Sequence, residues 1–149
     1  MSIAYSFLDV KAAISGPGGN FSIGKGAGVT TEGLVIAPTG DNNVMLVGAD
    51  GEVMHSLLAD QSGTLTVNVL KTSDTNANLQ DMFNLQSRSA ANWGQNTIVI
   101  NHMATGDTIT CSQTAFKTRP TNTYATEGGI MTWVFDVGKI SVQLGRGSN

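Results

Sequence analysis

Charge is what this chain has least of. Asp, Glu, Lys and Arg together make up 13% of its 149 residues, about half the share of an ordinary soluble domain. The 8 basic residues are scattered and outnumbered by 11 acidic ones, giving a net charge of −3. A dedicated nucleic-acid binder normally carries the opposite balance, which argues against a grip on DNA and says nothing against DNA passing by. Cysteine occurs once, at Cys111, so no intramolecular disulfide can form. A lone cysteine in a strand-like stretch reads as a small buried hydrophobe rather than a reactive thiol. The two histidines, His55 and His102, fall on separate predicted strands with no second ligand at a metal-binding spacing. No apolar run approaches the ~20 residues of a membrane helix, so no membrane insertion is expected. The opening MSIAYSFLDVKAAIS has neither the basic leader nor the long apolar core of a secretory signal, and the expectation is a protein made in the cytoplasm that does not leave by that route.

The missing charge is replaced by Thr, Asn, Ser and 18 glycines. A free monomer normally stays unassociated by displaying charge of mixed sign. A surface this weakly charged suits a protein that covers itself with its own copies. The length supports one domain, 1–149, with a real core.

Motifs that suggest chemistry fail on inspection. Gly19-Asn20-Phe21-Ser22-Ile23-Gly24-Lys25 matches most of a phosphate-binding loop, but Gly26 stands where Ser or Thr would hold Mg²⁺. Ala27-Gly28-Val29-Thr30-Thr31 then cannot propagate the helix whose N-terminus would face the phosphates. Gly24-Lys25-Gly26-Ala27-Gly28 mimics part of a dinucleotide fingerprint and fails the same way. Asp9, Asp60, Asp81 and Asp136 form no motif that singles out a catalytic pair, and Asp41-Asn42-Asn43 lacks the distal Glu of a calcium loop. No enzyme, cofactor or metal is expected. Of the two tryptophans, Trp133 lies in an apolar strand and reads as core, whereas Trp93 beside Gly94 reads as exposed.

The periodicities point to a mainly β protein, a β-sandwich or barrel-like fold of about eight or nine short strands with one flanking α-helix. Val10, Ala12 and Ile14 continue an alternation begun by Ile3, Tyr5 and Phe7, with a slip at Leu8. Ser15–Gly28 is glycine-rich and reads as a loop or arm. Glu32–Ala37 is a short strand stopped by Pro38. Val44–Val47 and Val53–Leu58 pair across Gly48-Ala49-Asp50-Gly51, with Asp50-Gly51 as the turn signal, making a projecting hairpin over 44–58. A turn at Ser62-Gly63 leads into Thr64–Lys71, whose Leu65, Val67 and Val69 face one way and Thr64, Thr66 and Asn68 the other. Thr72 or Ser73 caps a helix over 74–86, where Leu79, Met82 and Phe83 form a narrow packing stripe. Thr97–His102 and Thr108–Ser112 form a second hairpin, Thr114–Gly129 reads mostly as loop, and Ile130–Val137 is the most apolar strand. Ile140, Val142 and Leu144 alternate with Ser141 and Gln143 on a final strand.

Taken in order, Gly48-Ala49-Asp50-Gly51, Val53-Met54-His55-Ser56, Ser62-Gly63-Thr64 and Leu70-Lys71-Thr72-Ser73 with Asn76 and Leu79 resemble the tail-tube proteins of contractile-tailed bacteriophages. Tyr5-Ser6-Phe7-Leu8-Asp9-Val10, Gly16-Pro17-Gly18-Gly19 and the strands around Trp133 and Ile140 fit the same family. The resemblance implies a β-sandwich whose copies form hexameric rings, stacked into a hollow tube within a sheath. It implies as partners the chain itself, the tail sheath, tape measure, baseplate and tail terminator proteins, with DNA crossing the lumen without specific binding. It implies a place in the virion tail, assembled in the host cytoplasm. The tube protein of type VI secretion shares the architecture, so a bacteriocin or secretion tube is a close variant. On this reading the polar, uncharged Thr64, Thr66, Asn68, Ser141 and Gln143 face the lumen, and the tip Gly48, Ala49, Asp50 and Gly51 contacts the next ring. A rival class is a monomeric carbohydrate- or protein-binding β-sandwich, with Trp93 as its contact residue.

Overall fold

A computed structural model of the chain describes residues 10–23, 29–71, 74–102, 106–122, 124 and 129–145. Its elements in chain order are β1 (Val10–Gly16), β2 (Gly19–Ser22), β3 (Val29–Pro38), β4 (Asn43–Val47), β5 (Val53–Leu57), β6 (Gly63–Leu70), α1 (Asp74–Gln86), β7 (Asn96–His102), β8 (Asp107–Thr118) and β9 (Ile130–Gln143), with a 3₁₀ turn at Ala90–Asn92. Seven strands make one sheet in the order β2-β1-β7-β8-β9-β6-β3, and β4 and β5 form a separate two-stranded unit. Every ladder is antiparallel. The expected mainly β fold with one helix is the fold observed.

Period-two alternation builds the sheet. On β6, Leu65, Val67 and Val69 are fully buried, and they pair with Phe135, Trp133 and Met131 of β9. At the other side of the sheet Ala12 and Ile14 of β1 pair with Ile100 and Ile98 of β7, and all four are buried. One helix, roughly 10 Å across, spans two or three strands at about 4.8 Å spacing. It cannot cover seven. The sheet therefore curls on itself, and Phe21 on one edge strand packs against the same core cluster as Leu34 and Ile36 on the other.

The curl has a local cause. The β7–β8 register shifts between Asn96 and Ile98, and Gln113 takes φ 51°. This bulge lets Thr114 and Cys111, three positions apart, both turn inward. Opposite them on β9 stand Val137 and Ile140, with Gly138 between. A Cβ at Gly138 would lie 2.8 Å from the Gln113 Cβ, so only glycine admits the bulge. Two expected elements change as a result. The segments Ile130–Val137 and Ile140–Leu144 are one continuous strand, because Gly138-Lys139 breaks the alternation but not the ladder. Strand β8 likewise runs through the bulge to Thr118, where a polar loop from Thr114 was expected.

Helix α1 lies over the open part of the core. Leu79 and Met82 are fully buried, while Phe83 packs edge-on against Phe116 at 5.7 Å and Trp93 at 5.8 Å. Trp133 is core and its indole N–H donates to Asn76 Oδ1 at 3.0 Å. Gln86 is fully buried and exchanges amide hydrogen bonds with Asn96 at 2.7 and 3.0 Å, and also donates to the Pro17 carbonyl at 2.8 Å. Residues 15–22, expected as loop or arm, are instead the end of β1, a turn and β2, because Gly18 (φ +104°) passes directly under Met82 and Leu85. The rest of that arm, residues 24–28, lies outside the described residues, as do the capping positions 72 and 73 and the N-terminal residues 1–9.

The Gln86–Asn96 pair predicts a specific stability pattern. Gln86→Leu orphans a buried amide and should cost about 1–3 kcal/mol, whereas adding Asn96→Leu should recover part of that loss. A double-mutant cycle by urea denaturation measures the coupling.

Candidate functional site

Register places the polar side chains of the sheet. Thr64 and Thr66 pair with Asp136 and Val134 of β9 on one side and with Ala37 and Val35 of β3 on the other. Ser141 pairs with Thr110 of β8, which pairs with Val99 of β7, then Ala13 of β1 and Ser22 of β2. Gln143 heads a parallel row through Thr108, Asn101 and Lys11. Directly paired residues share a face, and Lys11, Ala13 and Ser22 are exposed where the intervening β1 residues are buried. Thr64, Thr66, Ser141 and Gln143 therefore share the face opposite the core. It is a surface of hydroxyls, amides and small apolar groups. Its charges among the described residues include Lys11, Lys139 and Asp136, the last 3.9 Å from Lys117.

Asn68 belongs to that face but does not present itself to solvent. It is 7% exposed, its amide donates to the Gly33 carbonyl at 3.4 Å, and its Oδ1 accepts from the Thr132 hydroxyl at 2.8 Å. The β3–β6 register jumps between Val29 and Leu34, and Gly33 takes φ +55°, so extra chain is laid over Asn68. The expectation that it lines an open surface is corrected accordingly.

The hairpin β4–β5 presents a different surface. At its tip the Gly51 N–H donates to the Gly48 carbonyl at 3.0 Å, the Glu52 N–H to Asp50 Oδ1 at 3.1 Å, and Gly51 takes φ +90°. Ala49 completes the turn. Along the body, Val44, Met45, Leu46, Val47, Val53 and Met54 are all exposed, from 43% at Val44 to 59% at Val47. An isolated two-stranded hairpin is marginal in water, and a contiguous exposed apolar patch marks an interaction surface. The sequence reading found the tip and missed the body. The available signal was the run Val44-Met45-Leu46-Val47, which leaves neither face of a two-stranded unit polar.

Two hollows flank these elements. A groove of about 580 Å³ at the hairpin root has Ile36, Leu57, Leu58, Ile109, Ile140 and Val142 in its lining. Asp60 borders it, held below the usual carboxylate range by hydrogen bonds from the Ser62 hydroxyl (2.6 Å) and backbone N–H (2.9 Å). A second hollow of about 480 Å³ lies past the C-terminal end of α1, between Gln86, Ser87, Ser89, Ala90 and Trp93. Trp93 is 37% exposed, and the Arg119 guanidinium sits 4.6 Å over the neighbouring Phe83 ring.

Reactive groups are dispersed. Asp60, Asp81 and Asp136 lie on a loop, on α1 and on β9, and Asp9 lies outside the described residues. His55 bonds with Asn43 across the hairpin at 3.1 Å, while His102 is buried on β7. Among the described residues no three metal-ligating side chains cluster, and no helix is long and apolar enough to cross a membrane. Burial pushes the Cys111 thiol up to about 11.

Residues 1–145 match the family model described as bacteriophage PhiTE tail tube protein. No curated protein matches by sequence. Among solved structures, the fold is similar to the sheath/tube terminator of an extracellular contractile injection system, PVC, in its extended state (TM-score 0.61, 13% identity, 95% of this chain and 98% of that one). It is similar to a chain in the tail of an empty GTA particle computed with helical refinement and C6 symmetry (TM-score 0.61, 14% identity, 94% and 99%). It is also similar to a chain of the 6-fold symmetrised anti-feeding prophage baseplate (TM-score 0.59, 16% identity, 96% and 97%).

The raised thiol value has a direct readout. Cys111 in the native protein should react with a disulfide reagent at pH 8 at least about tenfold more slowly than in urea, where the thiol returns to its ordinary range and is exposed.

Proposed function

Because the chain belongs to the bacteriophage PhiTE tail tube protein family, we propose that this structural tail protein forms hexameric rings that stack helically into a hollow tube, through which DNA passes into the host cell. The observation that carries the reading is the pairing of two surfaces on one chain. One is a broad polar sheet face with few charges. The other is an apolar hairpin that its own chain leaves uncovered.

Each surface has a physical role in a tube. Among the described residues the sheet ends at β2 and β3, and open edges are templates for pairing with another chain. In a ring those edges meet neighbouring copies, and the sheets join around the lumen. A head-to-tail contact that also rises gives an open filament. A wall that conducts DNA works best without cations, since every phosphate contact from Lys or Arg adds affinity. Thr64, Thr66, Ser141 and Gln143 supply the uncharged part of that wall, on a face whose cations among the described residues include Lys11 and Lys139. The hairpin, with Gly48, Ala49, Asp50 and Gly51 at its tip, reaches the adjacent ring, and the helix carrying Leu79, Met82 and Phe83 closes the core beneath the outer surface.

The six-fold symmetry named for the two similar tail and baseplate structures supports the hexamer. Similar chains in a sheath–tube complex and in a tube-terminating cap support sheath, baseplate and terminator proteins as partners. A tape measure protein inside the lumen, a virion location and assembly in the host cytoplasm complete the reading. The extracellular contractile injection system among these neighbours supports one variant, the tube of a phage-derived bacteriocin or type VI-like secretion system.

Electron microscopy of the purified protein tests the core of the proposal. Rings or tubes of constant diameter are expected, and monodisperse monomers at high concentration would overturn it in favour of a binding module. Deleting residues 48–51 should leave folded rings that no longer stack, and full-length tubes from that deletion would refute the stacking role. Lysine at both Thr64 and Thr66 should slow DNA delivery about tenfold at low salt, with recovery as salt is raised. Unchanged delivery would count against the lumen assignment.

A further inference from the structure

The tube reading leaves open what the hairpin seats upon. We propose that β4–β5 of one copy docks on the patch at the C-terminal end of α1 of another copy, its acidic tip against Arg88 and Arg119 and its apolar body in the hollow beside Trp93. The inference rests on the tube reading and adds the receiving surface.

Charge complementarity carries it. The segment from Asp41 to Leu58 contains Asp41, Asp50 and Glu52 and no Lys or Arg. It needs a basic acceptor, and this chain has few cations. Among those described, Lys117 lies beside Asp136, Lys71 precedes the opposite, N-terminal end of α1, and Lys11 and Lys139 lie on the polar sheet face. Arg88 and Arg119 remain, both exposed, one just after α1 and the other just after β8. Arg119 lies over Phe83, which touches Trp93, and Arg88 follows α1 by two residues.

Shape and polarity agree with charge. Leu46 and Met54 are direct cross-strand partners, so they form one apolar knob on one face of the hairpin. The hollow beside Trp93, about 480 Å³, is large enough for such a knob, and a thioether against an indole is a favourable contact. The groove at the hairpin root is the weaker acceptor, because Asp60 on its border repels an acidic tip. The two patches differ and lie on different elements, so the contact is heterologous, as an open filament requires.

A charge swap decides the matter. Asp50→Lys with Glu52→Lys, and separately Arg88→Glu with Arg119→Glu, should each cut pelletable tube at least tenfold. All four substitutions together should restore at least half of it. Failure of the combined variant to exceed the separate ones, with thermal melts like the wild type, would overturn the contact. Fluorescence gives a second readout that does not depend on charged variants folding. Assembly should shift emission to the blue through Trp93, since Trp133 is already buried, and Trp93→Phe should abolish the shift. Assembly of the wild type with no shift would also overturn the contact. If the wild type forms no oligomer, the tube reading fails and this contact with it, whereas tubes indifferent to the swap reject the contact alone.

Discussion

A seven-stranded sheet with one apolar face must hide that face, and the described residues offer a single 13-residue helix with which to do it. Most of the architecture follows from that shortage. The sheet curls until residues from both of its edge strands meet the same core, and the curl is concentrated where Gln113 bulges against Gly138. Curling buries one face thoroughly and leaves the other outside, apart from the covered Asn68. That outer face must then be compatible with water or with a channel, and its Thr, Ser and Gln rows are compatible with both.

The helix is held by more than its apolar stripe. Gln86 and Asn96 satisfy each other inside the core and Gln86 also donates to the Pro17 carbonyl, which ties α1, β7 and the β1–β2 turn at one point. Such a pair is costly if half made and specific when complete. The turn glycines belong to the same junction. A Cβ at Gly16 would overlap Asn96, and one at Gly18 would press on Leu85. The glycine-rich stretch is therefore a close-packed joint over the part that is described.

The low charge content takes on meaning once the surfaces are sorted. Net charge and mixed signs keep monomers apart. Here the sparsely charged polar rows and the exposed apolar hairpin sit on separate parts of the surface. In the proposed tube, assembly completes both surfaces.

The sequence by itself determined the local elements that rest on short-range chemistry. These are the Asp50-Gly51 turn, the two-faced strand Thr64–Leu70, the helix with Leu79 and Met82, the buried Trp133 and the order of elements that carries the family likeness. Each follows from a period or a turn residue readable within about ten positions. Tertiary structure alone decided what depends on partners distant in the chain. It joined two apparent strands into β9 because the ladder tolerates the break that the alternation does not. It turned loop-like glycines into β2 because Met82 and Leu85, more than sixty residues away, need a partner without a side chain. It covered Asn68 with the Gly33 bulge and stripped β4–β5 of any cover. Where burial departs from the local period, it is set by the folded neighbourhood and lies beyond any short window of sequence.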